Sequence, residues 1–133
     1  MTAAPAQRAN LASEQVRLAA LFRGTPVVFA MQQDGSLRAT VPLRFSFDPG
    51  ATQVKPPLAA VLDRLAKSQL QMNTRLRLNV PADPPARLAA LARDRSTAVR
   101  DHLGAQGITA ARVDTSAVLQ TEQVEIVVSD ASR

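Results

Sequence analysis

Arg75-Leu76-Arg77-Leu78-Asn79-Val80, then Pro81-Ala82-Asp83-Pro84-Pro85, then a stripe of Leu88, Leu91, Ala92, Arg95, Ala98, Val99, His102 and Leu103 decides the fold class. The first six residues alternate polar and apolar, the period of a half-buried strand. The prolines break that strand. The stretch from about Ala86 to Ala105 repeats with a helical period, and Gly107 is its expected terminator. A chain that changes period in this way builds both strands and helices around one core.

The same two periods recur outward from this point. Upstream, Leu58, Val61, Leu62, Leu65 and Ala66 form one stripe, predicting a helix over 57–70 after Lys55-Pro56-Pro57. Before it, Pro26–Gln32 reads as a strand, and Asp34-Gly35 is a strong hairpin signal. The return strand is expected from Leu37 to about Phe47, with Val41, Leu43, Phe45 and Phe47 on one buried face. Asp48-Pro49-Gly50 ends it as a turn. Downstream, short strands are expected around Ala111–Val113 and over Val124–Val128. The predicted order is ββαβαββ, an α+β sandwich with the helices packed on one face of a mixed sheet. Residues 1–12 read as a disordered tether. Residues 13–23 read as a short helix capped by Ser13 and carrying Val16, Leu18, Ala19, Leu21 and Phe22. The domain proper is expected over 24–130.

Composition removes most function classes. The 133 residues contain no cysteine, which excludes disulfides, thiolate metal sites and a cysteine nucleophile. A single histidine, His102, leaves neither a metal set nor a catalytic triad to assemble, so an enzyme is not expected and no cofactor or metal is implied. The net charge of +5 comes from scattered arginines, with Lys55 and Lys67 the only lysines. Tyrosine and tryptophan are absent, so no aromatic platform exists for stacking bases, and nucleic acid is not an expected partner. No apolar run approaches the roughly 20 residues of a membrane-spanning helix, and no signal peptide is visible at the start.

Two charged residues stand out. Arg95 sits near the middle of the apolar stripe of the second long helix, where an unpaired charge would cost several kcal/mol. It is either a structural arginine tied to a carboxylate or carbonyls, or a guanidinium that receives a ligand carboxylate. Asp83 precedes Pro84-Pro85 and is either a helix N-cap or a carboxylate that grips an ammonium at the mouth of the helix. His102 is expected at the core edge.

In order along the chain, six pieces resemble the OmpA-like peptidoglycan-associated domain family. Arg44-Phe45-Ser46-Phe47-Asp48 with Ala51–Pro56 is similar to its "F-x-F-D … A-x-L-K-P", and Leu58–Leu65 to the helix after it. Arg75–Val80 is similar to the strand leading into "G-H-T-D". Leu91–Leu103 resembles "L-S-x-x-R-A-x-x-V-x-x-Y-L", Gln106–Val113 resembles "x-G-V-x-x-x-R-I", and Gln123–Val128 the closing "R-R-V-E-I-V". The sequence departs from the family at Val80-Pro81-Ala82, at Leu88 and at Glu122-Gln123, and the loop between Asp83 and Arg95 is shorter.

The resemblance implies a bacterial envelope domain in the periplasm that holds the peptidoglycan stem peptide without covalent bonds. By position, Asp83 and Arg95 become the residues that hold the zwitterionic end of diaminopimelate. It further implies outer-membrane association through a lipid or anchor preceding the tether, as in a lipoprotein, and envelope proteins as further partners. The alternative is a divergent module without ligand that acts as a protein–protein scaffold. If the helix begins at Pro84, Asp83 and Arg95 lie about 18 Å apart along its axis.

Overall fold

The computed structural model describes residues 3–70, 72–116 and 122–130, with backbone only for 3–10 and 116. Helix α1 (Ala3–Leu21) is followed by β1 (Val28–Met31), β2 (Leu37–Pro42), α2 (Pro56–Gln69), β3 (Thr74–Asn79), α3 (Ala89–Ala105), β4 (Val113–Ser116) and β5 (Gln123–Asp130). The five strands form one sheet in the order β1-β2-β5-β3-β4. Only β3 and β4 run parallel, and the other pairs are antiparallel. The architecture is the expected α+β one, preceded by an N-terminal helix that is longer than the one expected over 13–23.

The α2 stripe and the β3 alternation hold, whereas in the α3 stripe Leu88 lies outside the helix and is exposed. In α2, Leu58, Val61, Leu62, Leu65 and Ala66 are all buried. In β3, Leu76 and Leu78 face the core while Arg75 and Arg77 face solvent. Strand β5 occupies the centre of the sheet, where Val124, Ile126 and Val128 alternate inward. Asp34 and Gly35 do form the β1–β2 hairpin. Gly35 takes a φ of 88°, and Ser36 donates to the Asp34 carboxylate from both its amide and its hydroxyl.

Several boundaries differ from the sequence expectation. Helix α1 begins at Ala3, so it runs through part of the stretch read as a tether and does not start at Ser13. Alanine and glutamine have high helix propensity, and Pro5 is tolerated in a first turn whose amides lack helical partners. Its buried face is Leu11 and Leu18, with Gln15, Ala19 and Phe22 beside them, whereas Val16 and Leu21 are exposed. Residues 11, 15, 18 and 22 fall on one side of a helix; 16 and 21 do not. Gln15 Nε2 donates to the Phe29 carbonyl (2.7 Å), and the Phe22 and Phe29 rings meet at 5.5 Å. These contacts dock α1 against the edge strand β1.

Strand β2 stops at Pro42, and Leu43–Phe45 form a 3-10 turn instead of continuing the strand to Phe47. Pairing towards β5 includes Pro42, and the Leu43 amide still donates to the Glu122 carbonyl (3.2 Å) beyond it; the turn is secured by the Ser46 hydroxyl donating to the Pro42 carbonyl (3.0 Å). The strand expected at Ala111–Val113 lies at Val113–Ser116, preceded by a 3-10 turn over Ala110–Arg112. Arg112 fixes that turn by donating to the carbonyls of Met72 and Thr74.

Helix α3 starts at Ala89, three residues later than expected, and Leu88 at its cap is 61% exposed. Asp83 therefore does not cap the helix. The buried face of α3 is Ala92, Arg95, Ser96, Val99 and Leu103. His102 lies at the core edge as expected, its Nε2 2.7 Å from Asp63 Oδ1 on α2.

Candidate functional site

The site is built where two irregular segments meet the second turn of α3. The prolines at 81, 84 and 85 keep the chain after β3 out of helix, so 80–88 crosses the end of the sheet as a loop. The loop carries Asp83 back to Arg95. Their separation is a hydrogen bond, not the 18 Å of an early helix start: Arg95 NH1 reaches Asp83 Oδ1 at 2.9 Å and NH2 reaches Oδ2 at 3.2 Å.

Arg95 has no exposed side-chain surface. Its remaining donors go to backbone carbonyls: Nε to Ala51 (2.8 Å), NH1 to Pro81 (3.2 Å) and NH2 to Asp48 (3.1 Å). All five N–H groups of the guanidinium are thereby used. The Phe47 ring lies 4.9 Å from the guanidinium carbon, a cation–π contact that closes one face. Arg95 thus ties the 48–51 turn, the 80–83 loop and α3 together. Of the two readings left open by the sequence, the structural one describes its contacts.

Asp83 faces both ways. One side meets Arg95, and the Gly50 amide donates to Oδ2 at 2.6 Å. Gly50 holds a φ of +72°, the left-handed conformation that turns its N–H toward the carboxylate. The other side is open, with 30% of the side chain exposed. The hydrogen bonds from Arg95, aided by the Gly50 amide and the arginine's charge, hold the carboxyl below its ordinary value against the opposing effect of partial burial. Three of its roughly four acceptor positions are taken, which leaves one for a ligand donor.

Asp83 lies on the wall of an open cleft of about 780 Å³, with Phe47, Pro49 and Pro84 as apolar lining and Arg44, Asp48, Lys55 and Glu122 as charged lining. Lys55 Nζ donates to the Arg44 carbonyl (2.9 Å) and pairs with Asp48 (3.2 Å). Glu122 pairs with Arg87 at 3.7 Å, and the Arg87 amide donates to the Asp83 carbonyl at 2.8 Å. The structure brings Asp83 and Arg95 together as the resemblance implies. It adds Arg44, Phe47, Asp48, Gly50 and Lys55, which sequence reasoning treated as strand, turn and helix-start residues. The Asp48-Pro49-Gly50 turn was the available signal, since a positive-φ glycine beside a proline marks a backbone that can approach a side chain closely. Among the described residues, no group of three His, Asp or Glu side chains could hold a metal.

No protein-family model matches the sequence, and no curated protein does. Solved structures do match. A MotB-like protein from Desulfovibrio vulgaris superposes with a TM-score of 0.71 at 18% identity, over 95% of each chain. The cell wall anchor of the type VI secretion system from Pseudomonas aeruginosa gives 0.64 at 19% identity, over 89% of this chain and 95% of the other. The OmpA-like domain of FopA1 from Francisella tularensis gives 0.51 at 11% identity, over 78% of this chain and 79% of that one. The chain has the OmpA-like fold.

Proposed function

We propose that this chain is a peptidoglycan-associated domain of the bacterial envelope, working in the periplasm as a non-covalent anchor and not as an enzyme. The observation that carries the reading is Asp83: an ionised, part-exposed carboxylate fixed on a cleft wall by Arg95 and Gly50. A carboxylate in that position accepts hydrogen bonds from an ammonium, and the stem peptide's diaminopimelate ends in an ammonium beside a carboxylate. Arg95 takes part by holding Asp83 in place, since its own donors are spent. The fold supports the reading as well, because a cell wall anchor is built on it.

Co-sedimentation with isolated sacculi tests the anchoring, and chemical-shift titration with a diaminopimelate-containing stem peptide tests the site. Wild type is expected to pellet with sacculi and to shift the amides of Gly50 and Asp83 at millimolar peptide. An Asp83→Asn variant is expected to lose both. The saturation of Arg95 favours one other reading, a scaffold that keeps the fold without the ligand and docks envelope proteins. Absence of any shift in wild type at millimolar peptide would decide for the scaffold.

A further inference from the structure

The ammonium half of a zwitterion has a receptor in Asp83, but the carboxylate half has none in Arg95. That guanidinium is fully buried, and each of its N–H groups is already donated. A ligand carboxylate must therefore find another cation in the same cleft, or remain in water.

The charges lining the cleft pair off almost completely. Asp83 is matched by Arg95, Asp48 by Lys55 and Glu122 by Arg87. Arg44 is the one left over: among the described residues its side chain makes no hydrogen bond and no ion pair. Its guanidinium carbon lies 4.8 Å from the Phe45 ring centroid. A contact with a ring face uses none of a guanidinium's N–H groups, so those of Arg44 stay available to receive a carboxylate through two parallel bonds. Lys55 is the weaker candidate, because its ammonium is already committed to Asp48 and to the Arg44 carbonyl.

We propose that Arg44 is the carboxylate receptor of the cleft, taking the free carboxylate of a zwitterionic amino-acid terminus whose ammonium lies against Asp83. The assignment rests on the anchoring reading and moves the cationic half of the site from α3 to the 43–45 turn. It explains how a buried, saturated Arg95 is compatible with binding: one arginine builds the site and another meets the ligand.

The experiment compares two peptides on isotope-labelled protein: a stem peptide with a free carboxylate on its diaminopimelate terminus, and the same peptide with that carboxylate amidated. Wild type is expected to bind the free acid more tightly, by roughly tenfold to hundredfold, the range of a charge-assisted pair. Arg44→Gln should lose that preference and bind both peptides alike, while Arg44→Lys should restore only part of it. Arg44 is exposed, so the variants are expected to keep the wild-type amide spectrum. The assignment is overturned if Arg44→Gln still prefers the free acid to the wild-type extent, and in that case the anchoring reading survives. Binding of neither peptide by wild type overturns both.

Discussion

Asp83 and Arg95, on a loop and on a helix, meet through two parallel hydrogen bonds of 2.9 and 3.2 Å, with the arginine wholly buried and the aspartate partly exposed. The asymmetry sets their roles. The arginine is the fixed member, held by three carbonyls besides, and the aspartate is the one a solute can touch. Burying a guanidinium is unfavourable unless every donor is satisfied, and here every donor is.

Arg95→Ala is expected to destabilise the fold by on the order of 3 kcal/mol, because it leaves Asp83 without its partner and the Ala51, Pro81 and Asp48 carbonyls without a donor. Arg95→Lys should recover only a fraction, since three tetrahedral donors cannot replace a planar fork. Urea denaturation of the two variants measures this. A loss under about 1 kcal/mol for the alanine variant would contradict the structural role assigned to Arg95.

Acid should weaken the fold through the same pair. The Asp83 carboxyl is held below its ordinary value in the folded state, so its contribution is present above the unfolded value of about 3.9 and is lost as pH falls through the lower folded value. Asp34, lowered by its hydrogen bonds from Ser36, acts in the same direction. Stability against pH should therefore decline on the acid side below about pH 4, and Asp83→Asn should flatten that limb. A limb equally steep in the Asn variant would show that Asp83 does not carry it.

Helix α1 is part of the core rather than an appendage. Leu18 is 1% exposed and Val16 67% exposed, two residues apart on opposite sides. Leu18→Ala should cost about 2–4 kcal/mol, and Val16→Ser should change stability by no more than about 0.5 kcal/mol. Equal effects in thermal or denaturant unfolding would mean that the helix does not dock as described.

Gly107 closes α3 at a φ of +105°, and a Cβ there would come within 2.9 Å of Leu70 Cδ2. Leu70 is 47% exposed and its side chain can shift, so the backbone conformation is the larger cost. Gly107→Ala is expected to lose about 1–2 kcal/mol, and Gly107→Asn less, because asparagine tolerates the left-handed region better. Denaturant midpoints order the three proteins, and an alanine variant as stable as wild type would contradict the φ.

Periodicity alone was enough to place α2 and β3, because burial on one face writes a 3.6- or 2-residue rhythm into any segment that repeats long enough. Leu58 to Ala66 and Leu76 to Leu78 are cases where local pattern and tertiary packing demand the same thing. Asp34-Gly35 and Gly107 belong with them, since a positive φ is a local requirement. The 43–47 stretch shows the limit: Leu43, Phe45 and Phe47 alternate like a strand, yet β2 stops at Pro42 and a 3-10 turn delivers Phe47 under Arg95. The site lies beyond that limit. The sequence marked Arg95 as a charge out of place and Asp83 as a helix cap or a ligand carboxylate, and only the path of the 80–88 loop decided that they touch. Only the 48–51 carbonyls decided that Arg95 is saturated. Those contacts join residues 44 to 47 positions apart in the chain, and a loop's course between fixed elements is set by such distant partners, which leave no rhythm in the residues that make it.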